Sequence, residues 1–145
     1  MKKDRVRALA LCVPRRQPRD EIFVARGYDR LARVQFYRPL GGGIDFGEHS
    51  AQAAQREMLE EIGHAVADVR YVGTLENIFV FEGAPGHEIV MVYDARFADE
   101  AMQRLTEPIT RLDNPAQEAL WVSLDALDAP LYPPGLDALL KAAPR

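Results

Sequence analysis

The sequence predicts an α+β sandwich, with strands surrounding one central helix and further helices outside, and three observations predict it. Short β-rich runs punctuated by proline and glycine open the chain. One strongly helical segment follows, beginning near Ser50. Two long extended stretches then flank a turn-rich connection, as in a hairpin.

Val6 to Val13 is an apolar run ended by Pro14 and a polar cluster, which reads as a strand and a turn. Glu21 to Ala25 is a short second strand broken by Gly27, and Val34 to Tyr37 leads into Pro39 and a glycine loop, Gly41 to Gly43. Ser50 is the expected cap of the next helix, with Ala53 supplying no capping-box partner. Within that helix Ala51, Ala54, Met58 and Ile62 form an apolar stripe, while Glu57, Glu60 and Glu61 are expected to point elsewhere. Val69 to Phe81 and Ile89 to Phe97 are the hairpin strands, joined by Glu82 to His87. A short helix is expected over Ala98 to Leu105, a brief strand over Ala119 to Val122 and a short helix near Leu124 to Leu127. Pro133-Pro134-Gly135 then introduces a C-terminal helix from about Leu136 to Ala142.

At 145 residues the chain suits one domain, of a size that buries about 68–70% of its extended surface. No apolar run approaches the roughly 18 residues of a membrane span. The basic and apolar start, MKKDRVRALALCV, is too short in its apolar part for a signal peptide and lacks a cleavage site, so it reads as a first strand. One cysteine, Cys12, excludes an internal disulfide, fits a reducing cytoplasm and sits in a strand where a buried structural role is expected.

The net charge of −4 hides an asymmetry: residues 1–38 carry eleven Lys/Arg against four Asp/Glu, and the remainder seven against eighteen. The acidic whole argues against a broad nucleic-acid surface. A basic half beside an acidic metal site suits a substrate bearing several phosphates.

The acidic site lies in GGIDFGEHSAQAAQREMLEEIG, from Gly42 to Gly63. Glu57, Glu60 and Glu61 fall at helical offsets of 0, 3 and 4, so one face gathers three carboxylates. Like charges at that spacing destabilise a bare helix by a few tenths of a kcal/mol per pair, roughly, and a bound divalent cation reverses the sign. Oxygen ligands without His or Cys select a hard ion, Mg²⁺ or Mn²⁺.

Written as G, five residues, E, seven residues, R-E-U-x-E-E-x-G-U, with U apolar, the segment resembles the signature of the Nudix hydrolase family. Gly42, Glu48, Arg56, Glu57, Met58, Glu60, Glu61 and Gly63 match, and His64 replaces the last apolar residue. Seven fixed letters coincide by chance at roughly one in 10⁸ per starting position, so chance is excluded. The resemblance implies a Nudix-type α/β/α sandwich, a mixed β-sheet with a helix on each side and a central catalytic loop-helix. It implies hydrolysis of a nucleoside diphosphate linked to another moiety, by water attack at phosphorus. It makes Glu57, Glu60 and Glu61 the metal ligands, with the Gly41 carbonyl a further one. Arg56 and Glu48 are expected to form an ion pair that orients loop and helix, and Glu48 is also a candidate water-mediated ligand.

The general base lies outside the signature in this family, and Glu118 and Glu88 are candidates beside Glu61. Arg38, just before the glycine loop, is the expected phosphate contact. Asn77, Phe79 and Phe81 share one strand face that suits a base; His87 and Tyr28 lie in turn-like segments within reach of a ligand. The expected partner is a small nucleotide: ADP-ribose, a dinucleoside polyphosphate, coenzyme A or an oxidised nucleotide. Two other readings stay open, a nucleotide-sensing module without catalysis and hydrolysis of an RNA 5′ end. Edge strands allow a homodimer without demanding one.

Overall fold

The structure is a computed structural model that describes residues 4–145; the Met1–Lys3 start of the basic leader lies outside the described residues. Its elements in chain order are β1 (Arg7–Arg16), β2 (Glu21–Asp29), β3 (Val34–Arg38), β4 (Leu40–Gly43), α1 (Ser50–Ile62), β5 (Val66–Phe81), β6 (Ala84–Phe97), α2 (Glu100–Gln103), β7 (Ile109–Thr110), β8 (Glu118–Ser123) and α3 (Leu136–Ala142).

The strands form a mixed sheet in the order β5-β6-β1-β2-β8-β7, with β3 on β2 and β4 on β1. Only β1 and β6 run parallel. The strand β1 meets β2 at just two rungs, Arg15 with Ile22 and Arg16 with Glu21. Beyond them β4 takes the edge of β1 over Leu9 to Cys12, while β3 and β8 flank β2. The sheet therefore parts between β1 and β2, and the parting forms the main cleft.

Both faces of the central strands are covered, which explains their near-continuous apolar sequence. Ala10 and Cys12 of β1 and Phe23 and Ala25 of β2 pack on one side with Ala53, Ala54, Met58 and Ile62 of α1. Leu11 and Val13, Ile22 and Val24 pack on the other with Leu136 and Leu140 of α3. This is the α/β/α layering. Cys12 is wholly buried, and burial pushes its thiol up to about 12, so it stays neutral and unreactive.

Several local expectations need correction. The helix cap is His49, which forms a reciprocal capping box with Gln52; the cap therefore lies one residue earlier than Ser50, whose hydroxyl instead pairs with Tyr93 at 2.5 Å. The hairpin connection is only the Glu82-Gly83 turn, both residues at positive φ, so β5 and β6 pair out to Phe81 and Ala84. No helix forms over residues 124–127; the chain turns there, and Leu124 fills the α3-side core. Glu61 shares the packed side of α1, with 5% of its surface exposed, where the stripe reading had turned it away.

Candidate active site

Two of the three loop glycines, Gly41 and Gly42, stand where neighbouring elements come too close for a side chain. Gly41, at φ +150, is a β4 residue whose β-carbon would lie 2.8 Å from the backbone of Leu11 in β1. A β-carbon on Gly42 would sit 2.7 Å from the Glu57 carboxylate. The loop thus lies flat on β1 on one side and against the α1 acids on the other. Gly63 ends α1 in the left-handed region, at φ 75, and its N–H returns to Leu59. His64, at the motif's apolar position, packs edge-on to Phe97 at 6.5 Å.

Arg56 is the hub between loop and helix. Its guanidinium donates twice to Glu48, at 2.8 and 3.0 Å, once to the Gly43 carbonyl at 3.0 Å, and through Nη1 to Glu57 and Glu60 at 3.1 and 3.0 Å. Glu48 also accepts from the Asp45 N–H, and these bonds hold its carboxyl below the usual range.

The three helix acids have different surroundings. Glu60 is exposed. Glu57 is half-buried with one oxygen taken by Arg56, and burial raises its pKa. Glu61 is buried; one oxygen accepts from the Gly41 N–H at 2.8 Å and the other from Arg111 at 2.9 Å. Its pKa is raised to about 7 because burial outweighs both donors. Arg111 follows β7 and is itself fixed by Asp113 and Gln117. Nothing in the sequence ties Arg111 to Glu61, fifty residues away; the fold brings them together, and the Leu112 N–H donates to the Glu61 carbonyl at 2.7 Å.

The cleft has a volume of about 640 Å³, and Glu61, Gly41 and Gly42 line it. Arg38, Asn77 and Phe79 also line it. So does Glu88, buried, accepting from Arg38 at 3.0 Å and Asn77 at 3.5 Å. The lining also holds a group of aromatic rings: Phe36 contacts Phe81 and Tyr132 at centroid distances of 6.1 and 5.1 Å. Phe36 and Phe79 are each laid flat across a glycine in the neighbouring strand, Gly27 and Gly86. Of the sequence-predicted acids, Glu57, Glu60 and Glu118 are not among the lining residues; Glu118 is half-exposed and pairs with Arg26 at 2.7 Å. His87, paired with Glu76, and the exposed Tyr28 lie outside the lining too.

Among the described residues no three His, Cys, Asp or Glu side chains are drawn together as a ready ligand set. The helix acids are instead neutralised by Arg56 and Arg111. The donor set still suits a hard ion: every donor is a carboxylate or backbone oxygen, and the missing β-carbon of Gly42 leaves Glu57 open toward the loop.

Known proteins resemble this chain in sequence and in fold. A family model described as NUDIX domain matches residues 5–142. The NAD-capped RNA hydrolase NudC of Pseudomonas aeruginosa, in strains LESB58 and PAO1, is 29% identical over 108 residues, which are 74% of this chain and 34% of that protein. The match thus spans about a third of the length of those relatives. Among solved structures, a MutT NUDIX hydrolase from Burkholderia pseudomallei superposes with a TM-score of 0.63 at 24% identity, covering 94% of this chain and 97% of that one. A NUDIX hydrolase from Nitrosomonas europaea gives a TM-score of 0.58 at 17% identity over 83% and 74% of the two chains. No helix among the described residues is long and apolar enough to cross a membrane. With the family model covering nearly its whole length and the α/β/α layering shared by those structures, the chain belongs to the Nudix hydrolase family.

Proposed function

We propose that this protein hydrolyses the pyrophosphate bond of a small nucleoside diphosphate linked to another moiety. One observation carries this reading: a single cleft is lined both by the Glu61 carboxylate with the glycine loop and by the rings of Phe36, Phe79 and Tyr132. Phosphoryl transfer needs counter-charge and a positioned water, and a planar base needs flat apolar surface.

Glu57, Glu60 and Glu61, with the Gly41 carbonyl, are the residues that would hold Mg²⁺ or Mn²⁺. Bound there, the ion would supply charge for phosphate oxygens and acidify water. The chain's own residues do the rest. Water attacks phosphorus, the bridging P–O bond breaks, the leaving phosphate keeps the electron pair and a carboxylate takes the water's proton. Glu57 suits that last role, because Oε1 accepts from Arg56 and Oε2 has no partner among the described residues. Glu88 is locked to Arg38 and Glu118 to Arg26.

A second reading has its own support. The name of the P. aeruginosa relative is NAD-capped RNA hydrolase, and an NAD cap contains the same class of bond. The test is a magnesium-dependent panel of NAD, ADP-ribose, nucleoside triphosphates, diadenosine polyphosphates, coenzyme A and NAD-capped RNA, compared by kcat/KM. Turnover of at least one small dinucleotide with a second-order constant of about 10⁴ M⁻¹s⁻¹ or more supports the proposal. Preference for the capped RNA moves it to the second reading. Binding without turnover makes the domain a sensor.

A further inference from the structure

Four arginines line the cleft: Arg7, Arg26, Arg38 and Arg111. Three are already engaged. Arg26 pairs with Glu118, Arg38 with Glu88, and Arg111 with Glu61 and Asp113. Pulling Arg38 or Arg111 onto a ligand would strand a buried carboxylate, Glu88 or Glu61, without its counter-charge. Arg7 is different. Among the described residues it makes no side-chain hydrogen bond and no ion pair, although its neighbour across the parallel β1–β6 rung is Glu88. Its side chain reaches toward the glycine loop, with Nη2 3.9 Å from where a β-carbon on Gly43 would stand. It therefore holds an unspent positive charge within reach of the Gly41–Gly43 loop, in the cleft that also holds Glu61.

We infer that Arg7 is the residue that binds the substrate's diphosphate in this cleft. This rests on the proposed hydrolysis and deepens it: the cleft is to select ligands with two linked phosphates over those with one. The planar guanidinium offers parallel N–H donors that match two anionic oxygens, which a lysine ammonium cannot do in the same fixed geometry. Because Arg7 is exposed and carries no structural partner, it can be changed without touching the core.

Two arms test the assignment separately from the reaction. In the binding arm, ADP and AMP are titrated into the magnesium-loaded protein. Wild type should bind ADP about tenfold or more tighter than AMP, Arg7→Gln should close most of that gap and Arg7→Lys should restore part of it. Arg104→Gln, an equal charge change at an exposed residue outside the cleft, should leave the gap intact. In the turnover arm, on the best substrate of the panel, Arg7→Gln should raise KM about tenfold while kcat stays within about threefold, with an unchanged melting temperature. A wild-type protein that does not distinguish ADP from AMP, an Arg7→Gln variant that keeps the gap, or an Arg104→Gln variant that loses it equally would overturn the assignment. A closed gap in Arg7→Gln with no substrate turned over by wild type would support Arg7 and defeat the hydrolytic reading instead.

Discussion

Three glutamates one helical turn apart have different chemistry because their neighbours differ. Among the described residues Glu57 keeps one unpartnered oxygen against Gly42, while Glu118 is held by Arg26. Accordingly Glu57→Gln should lower kcat by roughly 10²-fold or more without unfolding the protein, whereas Glu118→Gln should lower it by less than about fivefold. Equal losses in the two variants would place the proton acceptor elsewhere. Glu61 gives a prediction of another kind. Burial raises its pKa from 4.5 to about 7, so between those values the folded chain keeps a proton that the unfolded chain has released. Stability of the metal-free protein should then fall as pH climbs through that window. Glu57 is shifted the same way; Asp29 and Glu48, both held below the ordinary range, lose their contribution only at lower pH. Melting temperatures in EDTA from pH 5 to 8 should decline for wild type and be flatter for Glu61→Gln. Matching slopes would mean that Glu61 does not control the trend.

At the scale of elements, the loop and helix were the most legible part of the chain, since a 3.6-residue period and a glycine run are local signals. What each glycine does was not legible, because it depends on which atoms face it. Gly42 and Gly41 should respond differently to alanine. A methyl on Gly42 meets only the end of the flexible Glu57 side chain, at 2.7 Å, so the fold should survive while Glu57 is displaced. Gly42→Ala should thus melt within a few degrees of wild type yet lose about tenfold or more in kcat. A methyl on Gly41 meets the backbone of β1 at a positive φ, so Gly41→Ala should lose stability first. If instead Gly42→Ala unfolds the protein and Gly41→Ala does not, the loop is not seated as described. Capping shows the same limit: Ser50 has the better intrinsic propensity, but His49 and Gln52 have the reciprocal geometry.

Across the whole molecule, strand existence could be read from the sequence and strand order could not. Alternation places residues on faces, yet it says nothing of β1 running parallel to β6 along one edge while meeting β2 only at its last two residues. The cleft arises from that parting, so its lining joins residues that no local pattern connects. The basic first quarter of the chain is largely paired with acids in the fold. Arg15, Arg26, Arg30 and Arg38 each cross the fold to an acid of the later chain: Asp94, Glu118, Glu82 and Glu88. Charge segregation in the sequence becomes charge pairing in the fold.

The most buried of these pairings makes a test of the whole architecture. Asp94 has 0% of its surface exposed, accepts from Arg15 and Arg70 and forms an ion pair with Arg145, tying β1, β5, β6 and the C-terminal residues together. It lies six residues along β6 from Glu88, about 20 Å from the cleft at strand rise. Asp94→Asn keeps the shape and removes the charge, leaving the buried Arg15 guanidinium with Asp20 as its remaining counter-ion. The expected cost is about 3 kcal/mol in urea unfolding, with the slope unchanged. Because the cleft is remote and its ion pairs are separate, kcat below the unfolding transition should stay within about twofold. A cost under about 1 kcal/mol would show that the β1–β6 core holds these strands without their charges. A large loss of kcat at full folding would show that the two ends of β1 are coupled, which the separate contact sets of Asp94 and Glu61 argue against.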